Sequence, residues 1–137
     1  MARPSGPKTR CNGEWTEARY KNFIISLLRR GTSRWAPKQL VKKEARVSRG
    51  IYICAYCKEE VPTTIKSGRK REQNIFVDHI EPIVDPNKGF TTWDEYVERM
   101  FCEKENLQLL CKACHDDKTA GEKEIAKNRR RKEKDNE

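Results

Sequence analysis

Two Cys-x-x-Cys pairs, Cys54/Cys57 and Cys111/Cys114, stand far apart in a chain that has only two histidines, His79 and His115. Thiolates separated by two residues can reach one tetrahedral ion from a tight turn, at about 2.3 Å each. Two such pairs fill the coordination sphere and leave no open position, so the expected role is a structural zinc site rather than a catalytic one. The alternative is four buried reduced thiols. Two equal spacings in so small a core argue against it. A second group has a different chemistry. Asp78 and His79 adjoin each other in Ile75-Phe76-Val77-Asp78-His79-Ile80, a β-branched and aromatic run that reads as a strand. Neighbouring side chains on a strand point to opposite faces. The carboxylate can therefore hold a metal while the imidazole works from a different side. His115 directly follows Cys114. Singly, each histidine has a plainer reading, as a satisfied core residue or a spare zinc ligand. Their order together is more specific: a strand carrying Asp-His, a strand starting at Asn106, then a helix carrying His115.

The elements that must position these groups are short. At 137 residues the chain reads as one domain with appended arms. It is 37% charged and 35% hydrophobic, so its core is small and a metal staple is the expected remedy. No apolar run approaches the roughly 20 residues that span a bilayer, and the N-terminus lacks the apolar stretch of a signal peptide. The expectation is a cytoplasmic, reducing setting without a membrane, where paired cysteines favour metal over disulfide.

The charge of +9 is unevenly placed. Residues 1–53 hold 13 Lys and Arg against 3 Asp and Glu, a net of +10, and the remainder is close to neutral. A basic half joined to a neutral half suits a polyanion, because cations displace counterions from phosphates; a solubilising surface is the competing reading. Residues 1–13 read as a flexible basic arm, with Cys11 a free thiol. Tyr20, Phe23, Ile24, Leu27 and Leu28 form one apolar stripe in a helix over residues 15–30 that ends at Gly31. A second helix is expected from Pro37 to a stop at Gly50. Its Lys42, Lys43 and Arg46 are candidate phosphate contacts. Lys66, Arg69, Lys70 and Arg71 are expected to form a basic loop beside the Asp78-His79 strand, placed to touch phosphates, with a merely solubilising tip as the alternative. Thr92-Trp93-Asp94-Glu95 is a capping-box signature, opening a helix with Trp93, Tyr96, Val97, Met100 and Phe101 in one stripe. Asn106 to Leu110 reads as a strand leading into Cys111, where a further helix begins. Thr119 and Glu122 suggest another capping box.

Roughly residues 51–120 resemble the HNH endonuclease family. The resemblance rests on Cys54-x-x-Cys57, Val77-Asp78-His79-Ile80, Glu105-Asn106-Leu107-Gln108-Leu109-Leu110 and Cys111-x-x-Cys114-His115-x-x-Lys118-Thr119. It implies an α+β fold: a small ββα-metal (His-Me finger) core over residues 51–120 with a structural four-cysteine zinc site. Residues 1–50 would be a basic helical extension, and 121–137 a charged tail. It implies hydrolysis of DNA phosphodiester bonds with a divalent ion, Mg²⁺ or Mn²⁺. Carried over by position, His79 is the general base, Asp78 and His115 are the ligands of the catalytic ion, and Asn106 orients the base through backbone near it. Lys118 is a candidate phosphate contact. The stretch Trp93-Asp94-Glu95-Tyr96 looks like phage-encoded members, which points to a terminase or packaging complex as a candidate partner. One active site per chain implies nicking by a monomer, whereas double-strand cleavage needs a dimer or two events. The runner-up reading is a zinc-stabilised DNA-binding module without catalysis. It accounts for the basic half and the cysteines but not for Asp78, His79, Asn106 and His115 together. A small subunit docking through its N-terminal helix is a third reading and is compatible with nuclease activity.

Overall fold

A computed structural model describes residues 6–135 as a mixed α+β chain with four helices and several small sheets. It divides into two compact units, Met1–Arg34 and Trp35–Glu137. The expected extension of residues 1–50 is thus shared between the two.

In the first unit, β1 (Lys8–Arg10) pairs antiparallel with β2 (Trp15–Thr16), and α1 (Glu17–Thr32) follows. The expected flexible arm is therefore a hairpin over its described part. Its turn is made by Cys11, Asn12 and Gly13, all with positive φ, where Asn and Gly carry little steric cost. Glu17 holds the hairpin: its carboxylate accepts from Thr9 Oγ1 at 2.7 Å and Arg10 Nε at 2.9 Å. Thr16 caps α1 by accepting from the Arg19 amide. Gly31 lies inside the helix rather than ending it. Phe23 and Leu27 of the expected core stripe remain half-exposed, at 50% and 49%.

The second unit begins with α2 (Ala36–Ala45), with Pro37 in its first turn. This helix stops before the expected point. Residues 46–48 form β3 (Arg46–Ser48), which pairs with β4 (Ile51–Ile53), and β4 pairs in turn with β5 (Glu60–Pro62). Gly50, at φ +75°, serves the β3–β4 turn and not a helix end. Left-handed glycine suits both roles, and the β-branched residues around it favour strand. The basic segment 66–71 is likewise a hairpin rather than a loop: β6 (Thr64–Ser67) against β7 (Lys70–Gln73), with Gly68 at φ +63°.

Then come β8 (Ile75–His79), α3 (Trp93–Met100), a 3-10 turn at Lys104–Asn106, β9 (Leu107–Cys111) and α4 (Lys112–Asp135). β8 and β9 pair antiparallel with Ile75 opposite Cys111 and His79 opposite Leu107. Asn106 falls in the 3-10 turn, one residue ahead of the strand expected to start with it. Thr92 caps α3 through the Glu95 amide at 3.2 Å, but the Glu95 carboxylate turns to Thr91 Oγ1, so the box is only half made. Thr119 and Glu122 lie within α4 and start no new helix. Buried side chains concentrate where these elements meet, with Leu109, Leu110, Met100 and Cys54 fully enclosed. No helix among the described residues is long and apolar enough to cross a membrane.

Candidate metal centre and active site

The first pair of cysteines is set by a turn. Cys54 directly follows β4, the Lys58 amide donates to Cys54 O at 2.9 Å, and Lys58 takes a left-handed φ of +63°. The Ala55 amide donates to Leu109 O at 2.8 Å, which seats this turn on β9, the strand that carries Cys111. Cys114 lies in the first turn of α4. Asn74, only 5% exposed, fixes that helix start: its Oδ1 accepts from the Lys112 amide and its Nδ2 donates to Pro62 O. The result is a cluster in which the ligand atoms of Cys54, Cys57, Cys111 and Cys114 lie within 4.8 Å of one another. None of the four is in a disulfide.

The thiols cannot all ionise unaided. Burial raises the Cys54 pKa, but amides of Cys57, Cys111 and Tyr56 outweigh it and bring the value down to about 6. Burial and the neighbouring sulfurs push Cys114 up to about 12. A cation that neutralises the thiolates resolves this conflict. The four cysteines could thus hold a metal ion such as zinc. Among the described residues they are the one group of three or more His, Cys, Asp or Glu so arranged.

The second constellation is built on the two faces of β8. Strand alternation puts Phe76 and Asp78 on one face and Ile75, Val77 and His79 on the other. α4 covers the first face. The His115 ring stacks on Phe76 with centroids 4.4 Å apart and planes at 12°. Lys118, one turn further along α4, brings its Nζ to 2.9 Å from Asp78 Oδ2, a charge contact that lacks hydrogen-bond alignment. His115 Nδ1 is 3.7 Å from Asp116 Oδ1, beyond hydrogen-bond range. Among the described residues, three buried side-chain polar atoms have no hydrogen-bond partner: Asp78 Oδ2, His115 Nδ1 and Arg129 Nε. The first two belong to the residues expected to hold a catalytic ion. Buried polar atoms are rarely left unsatisfied without reason, and a carboxylate oxygen with an imidazole nitrogen is a donor set that suits a divalent cation.

His79 is 7% exposed, and its Nε2 lies 2.8 Å from Met100 O. A carbonyl only accepts, so Nε2 carries the proton and Nδ1 keeps its lone pair. Burial lowers the His79 pKa; the Met100 carbonyl and Asp78 oppose this, and Lys38 and Lys118 add to it. The ring is held neutral near pH 7. Asn106 braces the chain just past it: its Oδ1 accepts from the Glu81 amide at 2.8 Å, its Nδ2 donates to Glu81 O at 3.3 Å, and its carbonyl accepts from the Ile80 amide.

Some of this site lies outside the reach of sequence reasoning. Trp35 Nε1 donates to Cys102 O at 2.7 Å and its ring meets Phe101 edge-on, which brings the first turn of α2 beside the Met100 carbonyl that holds His79. Lys38, one turn on, is half-buried, and burial lowers its pKa. Lys118, a candidate phosphate contact, is engaged by Asp78, His79 O and Glu122. Lys66, Arg69, Lys70 and Arg71 crowd an exposed hairpin tip, and Lys42, Lys43 and Arg46 are exposed on α2 and β3. No family model, no curated protein and no solved structure matches the chain.

Proposed function

We propose that the chain is a metal-dependent endonuclease of the HNH type that hydrolyses DNA phosphodiester bonds, with zinc in the cysteine cluster as a structural ion. The observation that carries this reading is the division of labour across β8. On one face His115 Nδ1 is buried without a hydrogen-bond partner and Asp78 Oδ2 has only the charge contact to Lys118, and on the other His79 is locked with Nδ1 as its basic atom.

In this reading Asp78 and His115 hold a Mg²⁺ or Mn²⁺ ion. When bound, the ion polarises the phosphate and stabilises charge on the leaving oxygen. His79 Nδ1 takes the proton of the attacking water, and the Met100 carbonyl holds the ring while the proton moves. Asn106 fixes the backbone at Glu81 and so keeps His79 in register with β9. The exposed cations at the β6–β7 tip and on α2 supply phosphate contacts that position a duplex without reading its sequence. The four thiolates join the turn after β4 to the start of α4 and thereby fix where His115 stands.

The test is incubation of the zinc-loaded protein with supercoiled plasmid, with and without Mg²⁺ or Mn²⁺. Nicked or linear product that depends on the divalent ion is the expected result. Plasmid binding with no product under any ion would favour a zinc-stabilised DNA-binding module instead.

A further inference from the structure

Lys118 occupies an unusual place for a lysine of so polar a helix. It stands one turn after His115, and so on the same face of α4, above Asp78. Its ammonium donates to His79 O at 2.8 Å and to Glu122 Oε1, and it lies 2.9 Å from Asp78 Oδ2 as a charge contact. Two carboxylates and a carbonyl are the hard oxygen donors that a divalent cation also selects. The Asp78 side chain is 19% exposed, so leaving its charge uncompensated would be costly. Lys118 supplies that compensation from within the chain. Glu122, four residues on, gives the ammonium a second acceptor that remains when Asp78 is engaged elsewhere.

We propose that the Lys118 ammonium is a resident stand-in for the divalent ion: it holds the Asp78 carboxylate until the ion takes that place, and it then withdraws onto Glu122. This rests on the reading of Asp78 as a ligand of the catalytic ion. Lys118 is on this account a positioning residue. It keeps Asp78 aimed and the site folded at low metal, and it sets a threshold of ion concentration for loading.

The experiment measures Mn²⁺ binding to the zinc-loaded full chain, without DNA, from the electron paramagnetic resonance signal of free Mn²⁺. Lys118→Met removes the competitor, and about tenfold tighter binding is expected, the size of one partly screened charge close to the ion. Glu122→Gln removes the negative charge of the second acceptor, and weaker binding is expected. Asp78→Asn is the control on the underlying reading and should lose the Mn²⁺ site. If Asp78→Asn loses binding but Lys118→Met binds Mn²⁺ no more tightly than the parent, the stand-in role is wrong while Asp78 remains a ligand. If Asp78→Asn binds Mn²⁺ as the parent does, both readings fall. Should Lys118→Met not fold, Glu122→Gln decides: unchanged or tighter binding overturns the proposal.

Discussion

The two constellations of the second unit solve opposite problems. The cysteine cluster brings four identical donors within 4.8 Å of one another, and its chemistry is complete once they meet. The Asp78/His79/Asn106/His115 group draws on three elements, and its members are kept apart by the two faces of β8. In the first, backbone reaches the sulfurs, as in the Cys111 amide directed at Cys54 Sγ at 3.4 Å. In the second, a carboxylate oxygen and an imidazole nitrogen are left without hydrogen bonds. A closed set of equal ligands favours stability, and an open set of unequal ones favours chemistry. The first also serves the second, because Cys114 and His115 are neighbours at the head of one helix.

Substitutions should separate the two. The largest effect is expected at the cysteines. Cys57→Ser or Cys111→Ser, or removal of the ion by a chelator, should abolish cooperative melting. Binding of a structural zinc is worth about 10–16 kcal/mol in small domains, as much as the whole stability of a typical domain, about 5–15 kcal/mol. A cooperative transition preserved in those variants would show that the cluster does not staple the fold. Next, His115→Ala should leave melting and zinc content in place while the divalent-ion concentration needed for cleavage rises. The expected rise is about a hundredfold, at the upper end of what even outer partners of a metal contribute. Loss of zinc in this variant would merge the two centres into one. Asn106→Ala should cut the cleavage rate by about 10–100-fold with bound Mn²⁺ unchanged, since it acts on the chain around the base and not on the ion. Equal losses of rate and Mn²⁺ affinity would move Asn106 to the metal side of the comparison. Smallest is Thr92→Ala, which removes the cap of α3 and should cost about 1 kcal/mol by denaturant melting, without effect on either centre. A larger loss would mean that α3, through Met100 O, holds the His79 ring more critically than its single contact implies.

The difference between the constellations also explains what sequence can reveal. Cys-x-x-Cys is a local spacing, and two copies of it predict a closed cluster whatever the intervening chain does. Strand parity at Asp78-His79 is equally local, and it predicts opposite faces directly. What cannot be read are the partners supplied by distant backbone. The Met100 carbonyl that selects the His79 tautomer has no side-chain signature. Asn74, which starts α4 and ties it to Pro62, looks like any loop asparagine. Lys118 is visible as a cation three residues after His115, but its engagement by Asp78 and His79 O depends on how α4 lies over β8. Errors in the elements have a common cause in residues that fit two conformations. Gly50 suits a helix end or a hairpin turn, and Asn12-Gly13 closes a hairpin in a stretch whose composition alone suggests an unstructured arm. Thr119 and Glu122 carry the letters of a capping box, but Glu122 is used for Lys118 in mid-helix.

In the proposed function His79 Nδ1 is the base of a phosphodiester hydrolase, and the metal ligands are Asp78 on the other face of the same strand and His115 on the helix that covers that face. The most direct measurement compares His79→Ala with the parent on supercoiled plasmid in saturating Mn²⁺, with zinc content and melting measured on the same samples. The expected rate is at least about a hundredfold lower, the usual contribution of general-base catalysis, with zinc and melting retained. Nicking by the folded, zinc-loaded variant at the parent rate would contradict it.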